Sequence, residues 1–68
     1  MKMRNNIKIL RKRSALRQED LAEKLAVTRQ TIIAIENNRY DPSLSLAFKL
    51  ANLLGTTVDE LFSPNTDE

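Results

Sequence analysis

The side chains of this 68-residue sequence that could do chemistry are cations, carboxylates and amides, because the chain contains neither histidine nor cysteine. This absence removes disulfides, the common zinc sites, thiol nucleophiles and imidazole acid–base catalysis together. A glycine-rich phosphate-binding loop is also excluded, since Gly55 is the only glycine. We therefore expect neither an enzyme nor a bound metal, cofactor or small-molecule ligand.

The carboxylates that stand closest together belong to a predicted helix rather than to a catalytic pair. Glu19 and Asp20 fall in the first turn of that helix, where the helix dipole favours negative charge. Together with Glu23 they fit a solvated helix face.

The cations are concentrated in the first part of the chain. Residues 1–40 contain ten Lys or Arg and four Asp or Glu, whereas residues 41–68 contain one and five. A chain of this kind would present its N-terminal part to a polyanion and keep the other part away from it. Ordinary solvated charge is the alternative explanation.

A third feature is the stretch VTRQTIIAIENNR, residues 27–39. At 100° per residue, Ile32 and Ile35 share one stripe of the predicted helix. The opposite side combines amides with apolar side chains, namely Gln30, Ile33, Ala34 and Asn37. An isoleucine on the outward side of a small protein requires an explanation, and a bound partner would supply one.

Helices must position these residues, and the apolar spacing predicts five helices in one domain over residues 1–68. They span residues 6–15, 18–25, 28–37, 43–54 and 58–62, with Thr28 and Ser43 as N-caps, Asn38 as a left-handed C-terminal residue and Gly55 as a stop. Residues 1–4 alternate apolar and charged side chains, which leaves a short strand and a loose arm both open. Residues 63–68 have nothing to bury and are expected to fray.

The helical periodicity also predicts which residues face the core. In the first helix these are Ile7, Leu10, Arg11 and Ser14, and in the fourth they are Leu44, Ala47, Phe48, Leu50, Ala51 and Leu54. No apolar run approaches the ~20 residues that a membrane span needs. The expected location is the cytoplasm.

The second and third helices are joined by residues 26–28 alone, and their apolar order fits two helices that cross at a steep angle. The small Ala22 would allow the close approach. The sequences QEDLAEKLAVTRQTIIAIEN, RYDPS and LAFKLANLLGTTVDELF carry a resemblance to the Cro/cI-type (XRE) helix-turn-helix transcriptional regulators of the short stand-alone kind. The resemblance covers about residues 7–62.

The resemblance implies an all-α, five-helix Cro/cI repressor-like domain with its helix-turn-helix at residues 18–37. Family members pair an Arg of the first helix with the Glu that ends the third, and Arg11 and Glu36 stand at those positions. The sequence departs from the family pattern twice. Ala26 stands where Gly is common, so either a left-handed conformation there costs about 1 kcal/mol or the turn adjusts slightly. Arg17 replaces the Ser or Thr that usually caps the second helix.

The resemblance further implies that the third helix lies in the major groove of DNA. Base contacts are expected from Arg29, Gln30, Thr31, Ile33 and Ala34, and phosphate contacts from Arg17, Gln18, Thr28, Asn37, Arg39 and Tyr40. Gln can bond adenine and Arg guanine in bidentate fashion, and an apolar side chain can touch a thymine methyl group. The alternatives are solvated surface positions for Arg29 and Gln30, a protein contact for Ile33, and packing over the loop for Tyr40.

The preferred function is therefore a sequence-specific regulator of double-stranded DNA, a repressor that binds an inverted repeat as a homodimer. The expected dimer interface is a surplus of apolar side chains: Ile9, Leu46, Leu53, Leu61 and Phe62. An antitoxin-type DNA-binding protein, which also binds a protein partner, is the alternative. Binding of single-stranded RNA is disfavoured, because Tyr40, Phe48 and Phe62 cannot form a stacking platform if the phenylalanines are buried.

Overall fold

The computed structural model describes residues 3–64, which form five helices and two short strands. Their order is β1 (Met3–Asn5), α1 (Ile7–Arg13), α2 (Gln18–Leu25), α3 (Arg29–Glu36), α4 (Leu44–Leu53), α5 (Val58–Leu61) and β2 (Phe62–Pro64). All five predicted helices are present. Within the described residues, no helix is long and apolar enough to cross a membrane.

Hydroxyl side chains fix the first residues of three helices. Thr28, Ser43 and Thr57 each accept a hydrogen bond at 3.2 Å from the backbone N–H three residues later. Such a cap satisfies a backbone donor that the helix itself cannot pair, and it contributes about 1 kcal/mol. The sequence predicted the Thr28 and Ser43 caps from residue type and position.

Left-handed residues end the first four helices. Ala26 (φ 58°), Asn38 (φ 60°) and Gly55 (φ 70°) were expected to turn the chain, whereas Ala15 (φ 58°) was not. In each case the next residue donates its backbone N–H to a carbonyl five residues back, for example Arg39 to Ala34 at 2.9 Å. This 6→1 bond is the Schellman motif, and it pairs carbonyl groups that a helix end leaves open. The two alanines adopt it at a cost of roughly 1–2 kcal/mol each.

The core lies between the helices and is closed by the end of the chain. Six large side chains are essentially inaccessible to solvent: Ile7, Leu21, Ile32, Ile35, Leu50 and Leu61. Phe62 is also buried, at 8% exposure. The prediction that Leu61 and Phe62 lie in a dimer interface is therefore wrong, because both side chains complete the core of the single chain.

The buried face of α4 differs from the predicted one at its edges. Ala47, Leu50, Ala51 and Leu54 are buried as expected, but Leu44 is 69% and Phe48 55% exposed. Leu46 and Leu53, which were expected to be exposed to solvent in a monomer, are instead partly buried and pack against the core. The apolar stripe of α4 is wider than the face that the core covers, and its two edges lie about equally far from its centre. Periodicity alone does not decide which edge is covered.

Ser14 also departs from the prediction. It was placed on the inner face of the first helix, but α1 ends at Arg13 and Ser14 is exposed. The chain turns there at the left-handed Ala15, so the helical periodicity no longer applies to it.

The two strands pair at the ends of the described chain. β1 and β2 are antiparallel, with Met3 opposite Pro64, Arg4 opposite Ser63 and Asn5 opposite Phe62. A strand thus forms at residues 3–5, and the expectation that the tail frays from residue 63 onward is wrong at residues 63 and 64. Backbone pairing orders this segment, which side-chain burial alone did not predict. Residues 1–2 and 65–68, which these predictions also included, lie outside the described residues.

Candidate nucleic-acid interface

A buried polar cluster joins the first three helices. The Arg11 guanidinium donates from Nε to Glu36 Oε2 at 2.7 Å and from Nη2 to Oε1 at 3.4 Å, and the two side chains are only 9% and 3% exposed. Nη1 donates to the carbonyl of Leu16 at 2.9 Å, and Gln18 Nε2 donates to Glu36 Oε1 at 3.1 Å. The predicted ion pair is present, and we call Arg11, Gln18 and Glu36 the polar seam.

The polar seam sets the position of α3 at its C-terminal end. Glu36 is the last residue of α3, Arg11 lies on α1, and Gln18 is the first residue of α2. Several directed hydrogen bonds between three helices allow far less freedom than apolar contact does. The seam therefore fixes how the third helix projects from the domain.

The second and third helices form the helix-turn-helix itself. Ala22 is 4% exposed, so its methyl group is buried in the core beside the turn. The turn passes through the left-handed Ala26, whose following residue, Val27, donates its N–H to the Ala22 carbonyl at 3.0 Å. Alanine thus adopts the conformation that glycine often supplies in the family, as the sequence indicated.

The first turn of α3 presents polar side chains to solvent. Arg29 and Gln30 are exposed, whereas Thr31 is half-buried. The Thr31 hydroxyl lies 2.9 Å from that of Thr28, so these two threonines bond each other at the start of the helix. Ile33 and Ala34 are half-buried, so the Ile33 side chain is less exposed to solvent than the helical periodicity predicted.

Three of the residues expected to contact phosphates already make bonds within the chain. Gln18 belongs to the polar seam, Thr28 caps α3, and Arg17 pairs with acidic neighbours. The other three, Asn37, Arg39 and Tyr40, are exposed in the segment that follows α3. Tyr40 is 52% exposed, so about half of its surface is accessible to a partner.

Arg17 replaces a capping side chain in an unexpected way. It has no side-chain acceptor, but the Asp20 carboxylate accepts from the Arg17 backbone N–H at 2.9 Å and from its guanidinium at 3.2 Å. Glu19 lies 3.6 Å from the same guanidinium. The side-chain hydrogen bond lowers the pKa of Asp20 and raises the pKa of Arg17. The start of α2 is thus stabilised by the acid of its first turn.

Sequence reasoning missed one residue that contacts the end of α3. Asn5 precedes α1, where an Asn commonly caps a helix, and its Nδ2 donates to the Ile35 carbonyl at 2.8 Å and to Asn38 Oδ1 at 2.9 Å. Its Oδ1 also accepts from the Ile7 N–H at 3.1 Å. An Asn before a helix signals a cap, and nothing local in the sequence indicates partners 30 and 33 residues away.

This geometry agrees with a family match over most of the chain. A family model described as "Helix-turn-helix" matches residues 7–61. The chain belongs to the XRE-type helix-turn-helix family. The match begins at the first residue of α1 and ends at the last residue of α5, so this helix-turn-helix domain makes up nearly all of the described structure.

Relatives and solved structures support the assignment. An uncharacterized HTH-type transcriptional regulator from Methanocaldococcus jannaschii is 53% identical over 66 residues, which cover 97% of this chain and 100% of the relative. The immunity repressor protein of Bacillus phage phi105 is 38% identical over 97% of this chain and 46% of its own length. A crystal structure from Bacteroides fragilis superposes with a TM-score of 0.81 at 30% identity, covering 90% of this chain and 98% of that one.

The XRE-type domain is that of a transcriptional regulator that binds double-stranded DNA, and it is not an enzyme. In this chain the polar seam bonds α3 to α1 and α2, and the exposed Arg29 and Gln30 stand at the N-terminal end of α3.

Proposed function

We propose that this chain is a repressor that binds an inverted-repeat operator as a homodimer, with the N-terminal end of α3 in the major groove. The observation that carries the proposal is the exposed first turn of a helix that the polar seam bonds to α1 and α2. A side chain can discriminate bases only when its backbone is fixed in position, and the seam supplies that rigidity.

Each residue of the first turns of α3 has a chemistry suited to a base edge. Arg29 can donate two hydrogen bonds to guanine, and Gln30 can pair with the edge of adenine. Thr31 offers a hydroxyl, and the methyl groups of Ile33 and Ala34 suit a thymine methyl. In the bound state Ile33 would lie against DNA, which accounts for an isoleucine on the outward side.

The proposed phosphate contacts flank this helix. Asn37, Arg39 and Tyr40 follow α3 in an exposed segment, and Gln18, Thr28 and Arg17 lie at the starts of α2 and α3. Backbone N–H groups at a helix start already favour an anion. Arg17 would have to share or exchange its bonds with Asp20 to reach a phosphate, so we expect Arg39 to contribute more.

Two observations support repression and dimerisation. The likeness to a phage immunity repressor favours repression over activation. The large apolar side chains of Leu44 and Phe48, one helical turn apart on α4, are exposed to solvent. We call this pair the apolar face. It borders a groove of about 280 Å³ lined by Asp41, Pro42, Leu44, Ala47, Val58 and Phe62.

The apolar face replaces most of the expected dimer interface. Leu46 and Leu53 are only partly accessible, and Ile9 is exposed on α1 beside a different groove from the one that Leu44 lines. Pro42 lines the groove and stands two residues after Tyr40.

Selection of bound duplexes from random DNA tests the proposed function. The expected outcome is a motif with two-fold symmetry, whose half-sites are separated by about one helical turn, roughly 34 Å. Selection of a single asymmetric half-site would remove the homodimer from the proposal, and recovery of no motif would remove sequence-specific recognition.

A further inference from the structure

The side chain of Asn5 connects the terminal strands to the end of the recognition helix. It lies on β1, thirty residues from Ile35 in sequence, yet its amide donates to the Ile35 carbonyl at 2.8 Å and to Asn38 Oδ1 at 2.9 Å. Its own oxygen accepts from the Ile7 N–H at 3.1 Å. Asn5 is thus a three-way bridge between β1, the start of α1 and the end of α3.

The bridge holds the segment that carries the proposed phosphate contacts. Asn38 is left-handed (φ 60°), and this turn directs the chain from α3 towards Arg39 and Tyr40. The Asn38 and Arg39 backbone N–H groups donate to Ile35 and Ala34 at 3.1 and 2.9 Å. Asn5 donates hydrogen bonds to the same Ile35 carbonyl and to the Asn38 side chain, so it connects this turn to β1.

We infer that Asn5 is a positioning residue of the DNA interface: its amide holds the left-handed turn at Asn38 and thereby places Arg39 and its neighbours for phosphate contact. The inference rests on the proposed function. Because β1 pairs with β2, the two-stranded sheet also supports this bridge by holding β1 in place.

The chain offers a matched control in the adjacent residue. Asn6 has the same side chain, and its Nδ2 donates at 3.0 Å to the Glu60 carbonyl of α5 rather than to the end of α3. Replacing Asn6 removes a side-chain bond to a backbone carbonyl near β1 without touching α3. An effect specific to Asn5 is therefore attributable to its bonds at the end of α3.

Asn5→Ala, Asn6→Ala and Arg39→Ala should be compared on the selected duplex across a range of salt concentrations. We expect Asn5→Ala to weaken binding roughly two- to tenfold, the effect of one net hydrogen bond, and to lower the salt slope as Arg39→Ala does. The double variant of Asn5 and Arg39 should lose little more than either single variant, because both remove the same contact. Asn6→Ala should bind like the wild type with an unchanged salt slope.

Amide hydrogen exchange in the absence of DNA supplies a second, independent measurement. Asn5→Ala should accelerate exchange at the Arg39 N–H, which donates to Ala34, while Asn6→Ala should leave it unchanged. Asn38→Gly keeps the left-handed turn, since glycine favours it, but removes one acceptor of the bridge. It should therefore weaken DNA binding less than Asn5→Ala does.

The outcomes separate this inference from the proposed function. If Asn5→Ala speeds exchange at Arg39 but binds DNA with wild-type affinity and salt slope, Asn5 is only structural and the inference is overturned. Unchanged exchange would overturn the bridge itself. If the wild type binds no duplex selectively, the proposed function fails, and the positioning role fails with it. If Arg39→Ala leaves DNA binding unchanged while Asn5→Ala weakens it, Asn5 acts through another contact and the inference as stated is wrong.

Discussion

The polar seam and the apolar face reverse the usual arrangement of side chains. At the seam, a charged pair only 9% and 3% exposed lies inside the domain, and on α4 two large apolar side chains, 69% and 55% exposed, lie outside it. A buried pair contributes little net stability over apolar residues of the same volume, but it defines geometry. An exposed apolar pair is unfavourable until another surface covers it. The comparison suggests that the seam orients α3 and that the apolar face pairs the chains.

The largest effect is expected from removing one partner of the seam. Glu36→Leu leaves the Arg11 guanidinium buried without its carboxylate, which should lower the free energy of unfolding by about 3–5 kcal/mol. Urea titration monitored by circular dichroism measures this loss. The matched control is Arg11→Met combined with Glu36→Leu, which removes both charges and should recover most of the stability. A single variant within about 1 kcal/mol of the wild type would show that the seam is not a coupled buried pair.

The next largest effect concerns the apolar face. Phe48→Asp should give a monomer, because two carboxylates would meet across the two-fold axis, and binding to the full inverted repeat should weaken by roughly 10²-fold or more. Sedimentation and DNA titration measure the two effects. Ile9→Asp is the control, because Ile9 is equally exposed, at 55%, on a different helix. If Ile9→Asp alone yields a monomer, the interface lies on α1 and the assignment to the apolar face is wrong.

The features that the sequence predicted depend on residues that are close together in the chain. The capping residues Thr28 and Ser43 and the left-handed Asn38 follow from residue types within one or two turns of each other. The Arg11–Glu36 pair followed from the family resemblance, since no local rule connects residues 25 positions apart.

The remaining features depend on packing between distant segments. The two edges of the α4 stripe look equally apolar, and only the position of the neighbouring elements leaves Leu44 and Phe48 outside. The pairing of β2 with β1 is a backbone interaction that side-chain periodicity does not report. The Asn5 bridge joins elements that only the folded chain brings together, so its Asn resembles an ordinary helix cap in the sequence.

Substitutions in the first turn of α3 should leave the polar seam and the apolar face intact and change only DNA recognition. Arg29→Ala and Gln30→Ala are each expected to weaken the selected site by about 1–3 kcal/mol while changing binding to scrambled duplexes little, because base contacts carry the specificity. Competition titrations with single base-pair variants measure this difference. Equal losses on selected and scrambled duplexes would place these residues among the phosphate contacts.

The smallest expected effect sharpens the distinction between base and phosphate contacts. Arg39→Ala should weaken every duplex to a similar degree and reduce the slope of log K against log salt by about one. Lys49→Ala is the control, because Lys49 is an exposed cation on α4 outside the proposed interface. Equal changes in slope for both variants would mean that the affinity follows net charge, and Arg39 would then leave the contact set.

The central claim is that two chains, joined at the apolar face, present two α3 helices to one operator. Titration of the wild type on the full inverted repeat and on a single half-site, with the molecular mass measured by sedimentation, tests it most directly. The account predicts a dimer at micromolar concentration and binding to the full site roughly 10²-fold or more tighter than to the half-site. A wild-type monomer that binds one half-site as tightly as the full repeat would contradict it.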